Sequence, residues 1–177
     1  MSTHVALLRG INVGGNKKVS MAELKKLFTK LKYKDVSTYI NSGNVLFSTE
    51  RTDTLAMVKE MEAAMQTTFG FEVRTVIRPK ANILKLAKDI PASYANDEVQ
   101  RTDVLFLWDD YDSKATIAKI KATKGVDTLQ YMDGAIIWNL QRTKLTKSGM
   151  HDFIGTEVYK NMTARNVNTV RKLATLM

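Results

Sequence analysis

The sequence predicts an α+β fold, and three observations carry that prediction. Apolar runs short enough for strands alternate with stretches of helical period, and neither type dominates. Residues 1–78 read strand, helix, strand, strand, helix, strand, the order of a split βαβ unit. From residue 103 the series strand, helix, hairpin recurs. The expectation is two tandem ferredoxin-like (βαββαβ) halves, residues 1–78 and 103–177, with a helix and linker over 79–102. The second half is expected to be incomplete and followed by C-terminal helices.

Each element has a local reason. Val5, Ala6, Leu7 and Leu8 form an unbroken apolar run inside a strand from about His4 to Arg9, as in strands covered on both faces. Arg9 to Lys18 is too polar for a core. Ser20 and Glu23 have capping-box spacing and start a helix at Met21, with Leu24, Leu27, Phe28 and Leu31 on one face. Strands at Val36–Ile40 and Val45–Phe47 flank the turn residues Asn41-Ser42-Gly43-Asn44. Asp53 or Thr52 caps a second helix whose Leu55, Met57, Val58, Met61, Ala64, Met65 and Phe69 face largely inward, and Gly70 stops it. Glu72 to Ile77 is a strand rich in β-branched residues.

A helix over Pro79–Asp89 then leads to a polar linker, Ser93 to Thr102. Val104 to Trp108 is a second apolar strand. Asp112 or Ser113 caps a short helix, and Asp133-Gly134 is a two-residue hairpin signal. A short helix from Ser148 to Ile154 ends at Gly155, and Thr163 to Met177 reads as one closing helix. No final strand is visible in the second half.

Composition narrows the chemistry. Lys and Arg total 27 against 18 Asp and Glu, a net charge of +9, which favours anionic partners. A solvated basic surface is the plain alternative. The absence of cysteine removes disulfides, thiolate zinc sites and cysteine nucleophiles together, and agrees with a cytoplasmic location. No segment approaches the roughly twenty apolar residues of a membrane span, so no membrane partner is expected. His4 and His151 lack partners at metal-binding spacing, and the acidic run at Asp109, Asp110 and Asp112 reads as a helix cap beside solvated carboxylates. Neither a metal nor a cofactor is implied.

The candidate site follows from strand order. In a ferredoxin-like sheet strands one and two run parallel, so the glycine loop after the first and the hairpin after the second leave at a common edge. The N-terminus of the first helix lies beside them and favours negative charge. Arg9 and Lys17 would supply charge, and Gly14 and Gly15 backbone amides. Asn12, Asn16, Asn41, Ser42 and Asn44 would orient a ligand, with Arg165 and Asn166 closing the site from the start of the last helix. Gly10 and Gly15 have P-loop separation, but Asn16 stands where the lysine belongs, and no Rossmann glycine pattern is present.

These residues suit a small anionic or phosphorylated ligand. A second class is an enzyme acting on a nucleotide or phosphate ester, which lacks an evident general base. The third is a nucleic-acid-binding protein using basic helix faces such as Lys25, Lys26, Lys30 and Lys32, whose affinity would fall steeply with salt. An open RNA-binding sheet is disfavoured because the first strand offers no aromatic platform.

The stretches VALLRGINVGGNKKVSMAEL, TYINSGNVLF and TARNVNTVRKL closely resemble a bacterial family catalogued as a domain of unknown function. The resemblance spans nearly the whole chain and implies an α+β fold of ferredoxin-like halves. It brings no reaction or ligand with it.

Overall fold

The computed structural model describes all 177 residues. The chain divides into two units, Met1–Lys80 with Met177, and Ala81–Leu176. Each is a mixed α+β unit built on a four-stranded antiparallel sheet.

In the first unit the strands are β1 (Ser2–Leu8), β2 (Lys34–Tyr39), β3 (Asn44–Thr49) and β4 (Thr75–Pro79), in the order β2-β3-β1-β4. Helix α1 (Met21–Lys30) connects β1 to β2, and α2 (Thr54–Phe69) connects β3 to β4. The fourth strand lies later than the Glu72–Ile77 span that β-branching suggested, because Glu72 to Arg74 are irregular chain leading into it. Alternation sends Ala6 and Leu8 of β1, Val45 and Phe47 of β3 and Ile77 of β4 into one core. Leu24, Leu27 and Phe28 of α1 meet them, as do Met57, Met61 and Met65 of α2, which recur every four residues along one face. The intervening Val5 and Leu7 are fully buried as well. Both helices are capped as expected. Ser20 Oγ accepts the Glu23 amide, Asp53 Oδ1 accepts the Ala56 amide, and Gly70 ends α2 in the left-handed region at φ 79°.

The second unit has strands β5 (Gln100–Leu107), β6 (Thr128–Met132), β7 (Ala135–Gln141) and β8 (Met162–Asn166), in the order β6-β7-β5-β8. Its helices are α3 (Lys80–Asp89, starting at the boundary between the units), α4 (Met150–Phe153), α5 (Glu157–Lys160) and α6 (Val167–Leu176), with three 3₁₀ turns. This sheet is complete, which corrects the expectation of an unfinished second half. β8 pairs with β5 from Asp103–Asn166 to Leu107–Met162. The five residues MTARN carry no apolar run, and the Thr and Asn around them mimic a helix start. The helix begins four residues later than expected, at Val167, with Asn166 Oδ1 accepting the Thr169 amide.

After β5 the expected α-helix is a 3₁₀ segment, Lys114–Lys119, capped by Ser113. Asp112 instead accepts the Tyr131 hydroxyl and the Gly134 amide, both at 2.9 Å, which fastens this segment to the β6–β7 turn. The polar 91–99 stretch is tied to α6. Arg171 donates to the carbonyls of Tyr94 and Pro91, and Asn168 to that of Asn96.

A carboxylate organises the other loops. Asp127 accepts from Trp138 Nε1 (3.0 Å), Ser148 Oγ (2.5 Å) and the amides of Thr123 (2.7 Å) and Gly149 (2.9 Å). Burial pushes this carboxyl up, but the four donors outweigh it and hold it below the ordinary aspartate range.

Candidate functional site

The glycine loop after β1 is a small folded hairpin. Gly14 (φ 60°) and Gly15 (φ 78°) occupy the two left-handed positions of a tight turn that the Asn16 amide closes onto Val13 O at 3.2 Å. Below it the Asn12 amide bonds Lys17 O. Asn12 and Lys17 are themselves left-handed, at φ 55° and 48°.

Asn12 then joins three parts of the chain. Its Oδ1 accepts the Val19 amide at 2.8 Å, and its Nδ2 donates to Val19 O at 3.0 Å and Asn41 O at 2.9 Å. Loop, hairpin and approach to α1 thus form one rim. A second tie runs from the Leu8 amide to Gly43 O. Gly43 is required there, since an added Cβ would lie 2.7 Å from Leu8 Cβ and φ is 78°.

Between these parts is an open cleft of about 630 Å³ lined by Asn12, Gly15, Lys18, Val19, Ser20, Met21, Glu23 and Asn41. Asn12, Gly15 and Asn41 belonged to the expected set, whereas Lys18 and Glu23 did not. The remaining expected residues lie outside the lining. Lys17 donates to Glu72 O at 2.8 Å and sits 5.6 Å from the centre of the Phe71 ring, so β4's approach holds its charge. Asn44 is fully buried, and its Nδ2 donates to Tyr39 O and Ser42 Oγ, which makes both side chains parts of the turn. Gly14 and Asn16 form the exposed tip. The Arg9 amide pairs with Arg74 O at the end of β1.

Arg165 and Asn166 lie in β8, within the second unit. Burial pushes the Arg165 guanidinium down to about 10, and its Nη1 donates to Thr163 Oγ1 and Ala164 O. Asn166 is the cap of α6. No group of three or more His, Asp or Glu side chains is arranged to hold a metal ion, and no helix is long and apolar enough to cross a membrane.

Chemically, the cleft offers one lysine, one carboxylate, the asparagine rim and the first turn of a ten-residue helix. A family model described as a protein of unknown function, DUF1697, matches residues 1–138. The chain belongs to the DUF1697 family. The DUF1697 match contains every residue of the cleft, whereas Arg165 and Asn166 fall beyond it. The structure of the conserved bacterial protein SP0830 from Streptococcus pneumoniae is similar over 99% of this chain and 98% of that one, with 27% identity and a TM-score of 0.85. No curated protein matches the chain.

Proposed function

We propose that this DUF1697 member is a cytoplasmic protein of two ferredoxin-like halves that binds a small anionic or phosphorylated ligand in the cleft at the start of α1. The observation that carries the reading is the three-way clip of Asn12, which fixes the Gly15 loop, Asn41 and the residues entering α1 as one rim. An anion there meets the positive end of the helix dipole and the Lys18 ammonium. Glu23 works against it, so the ligand must reach the loop amides and lysine on the side away from that carboxylate. The net charge of +9 draws anions toward the surface as a whole.

The test is a thermal-shift and NMR titration with inorganic phosphate, mononucleotides, sugar phosphates and a single-stranded oligonucleotide at two salt concentrations. At least one phosphorylated small molecule should raise the melting temperature, and Lys18→Ala should remove the gain. Glu23→Gln should tighten binding by about two- to fivefold, the scale of a screened surface charge pair. Tighter binding to the native carboxylate than to the glutamine variant would defeat the reading. An oligonucleotide response that collapses with salt, with none from small phosphates, would replace it by a nucleic-acid role.

A further inference from the structure

Matched backbone bonds align the two sheets residue for residue. Leu8 N donates to Gly43 O, and Leu107 N donates to Gly134 O, so Leu8 corresponds to Leu107, Ala6 to Leu105 and His4 to Asp103. What differs is the layer over that face. In the first unit the 16 residues of α2, about 24 Å of helix, bury Met57, Met61 and Met65 against it. In the second, the β7–β8 connection offers α4 and α5, four residues each and about 6 Å long. A cavity of about 390 Å³ remains, walled by Leu105, Trp138, Met150, Phe153, Ile154 and Met162, with Arg101 and Asp103 among its lining residues. That volume lies in the range of small-molecule sites.

We propose that this cavity is a binding site for a small apolar carboxylate, an aryl-alkyl or medium-chain acid, with Arg101 as its carboxylate receptor. Asp103, almost fully buried, accepts Arg101 Nε at 2.7 Å and so holds the guanidinium in place. The two Nη atoms make no hydrogen bond within the chain and form the fork that a carboxylate accepts from. Asp103 is the only carboxylate in the lining, and it is already engaged by Arg101. An amine would have to compete with Arg101 for that carboxylate. Ile154, two-thirds exposed, lines the cavity as an uncovered apolar side chain. Ala164, opposite Leu105 across the β5–β8 pair, is exposed and also in the lining, so the floor is reachable from solvent.

The test is an NMR titration of the whole chain with 3-phenylpropanoate and octanoate, against 3-phenylpropanamide and 3-phenylpropylamine. The carboxylates should shift the Trp138 indole and the Arg101 and Ala164 amides, with affinities at least about tenfold above the amide and amine, the discrimination of one charge-assisted fork. Arg101→Gln should erase the preference for carboxylate over amide. Ala164→Leu, which fills the floor from an exposed position, should abolish binding of all four while leaving the fold intact. The proposal is overturned by silence of the Trp138 indole at millimolar carboxylate, or by equal affinity for the amine. Shifts confined to Gly15 and Lys18, or an Arg101→Gln variant that keeps its preference, would overturn it as well.

Discussion

Asn12 and Asn41 are joined by a single hydrogen bond, side-chain Nδ2 to main-chain oxygen at 2.9 Å, across 29 residues of sequence. That bond and the two to Val19 saturate the Asn12 amide group on one side. Asn12→Ala removes all three and places alanine at φ 55°, so a loss of about 2–4 kcal/mol is expected. Asn12→Asp keeps the bond from the Val19 amide but sets a carboxylate oxygen against two carbonyls, and it should destabilise comparably. Urea denaturation checks both, and hydrogen exchange at the Val19 amide should quicken in each. Unchanged protection at Val19 would show that the clip does not hold the rim.

The glycines of the rim separate into two kinds. At Gly43 an alanine Cβ would lie 2.7 Å from Leu8 Cβ and 2.8 Å from Ile11 Cδ1 in a left-handed backbone, whereas Gly14 has nothing within 4 Å. Gly14→Ala should cost only the left-handed strain of about 1–2 kcal/mol. Gly43→Ala should cost at least about 2 kcal/mol more, as an overpacked core does. Paired denaturation curves give the difference, and equal midpoints would contradict the steric account.

Asp127 and Gly149 make a third pair of tests. Asp127→Asn replaces an acceptor of four donors by a group that must turn an NH₂ toward two of them, at a cost of about 2–4 kcal/mol. Gly149→Ala would bring a Cβ within 1.8 Å of Lys121 O, so this backbone crossing has to open. Both variants should lower the melting temperature and shift the Trp138 indole resonance. An unshifted indole in Asp127→Asn would mean that the carboxylate does not hold the ring.

Two aspartates of the second unit, Asp127 and Asp103, give opposite pH dependence. Hydrogen bonds hold Asp127 below its unfolded value, so its contribution is complete above about pH 4 and is lost as pH falls through its lowered folded value. Burial raises Asp103 despite Arg101, so the folded state keeps that proton longer than the unfolded one does. Its ionisation therefore removes stability as pH rises from about 4 through the raised value. Asp103→Asn should accordingly raise the melting temperature at pH 7 and do little at pH 3. A drop of several degrees at pH 7 would show that pairing with Arg101 outweighs burial.

Sequence alone reached the parts of this molecule that are coded locally. The apolar run of β1, the Ser20 and Glu23 pair and the Asp133-Gly134 turn each act through neighbours in the chain, and each reads directly. The meeting of the glycine loop with Asn41 was legible at one remove, since parallel β1 and β2 deliver both to one edge. β8 was not. Its Arg165 is buried and its only large apolar residue is Met162, so partners 55 to 63 residues away, rather than its own pattern, make it a strand. The split of roles among the candidate polar residues was equally hidden. Lys17 and Lys18 are adjacent, and left-handed backbone at Lys17 sends one to Glu72 and leaves the other on the cleft.

The correspondence of Leu8 with Leu107 and Gly43 with Gly134 gives this chain a built-in control. The same exchange can be made at twin positions of one molecule, in one solvent and one tube, once under a long methionine-faced cover and once under a broken one. Whatever the twins do not share measures how far the covering layer, and not the strands, decides the tolerance of each site.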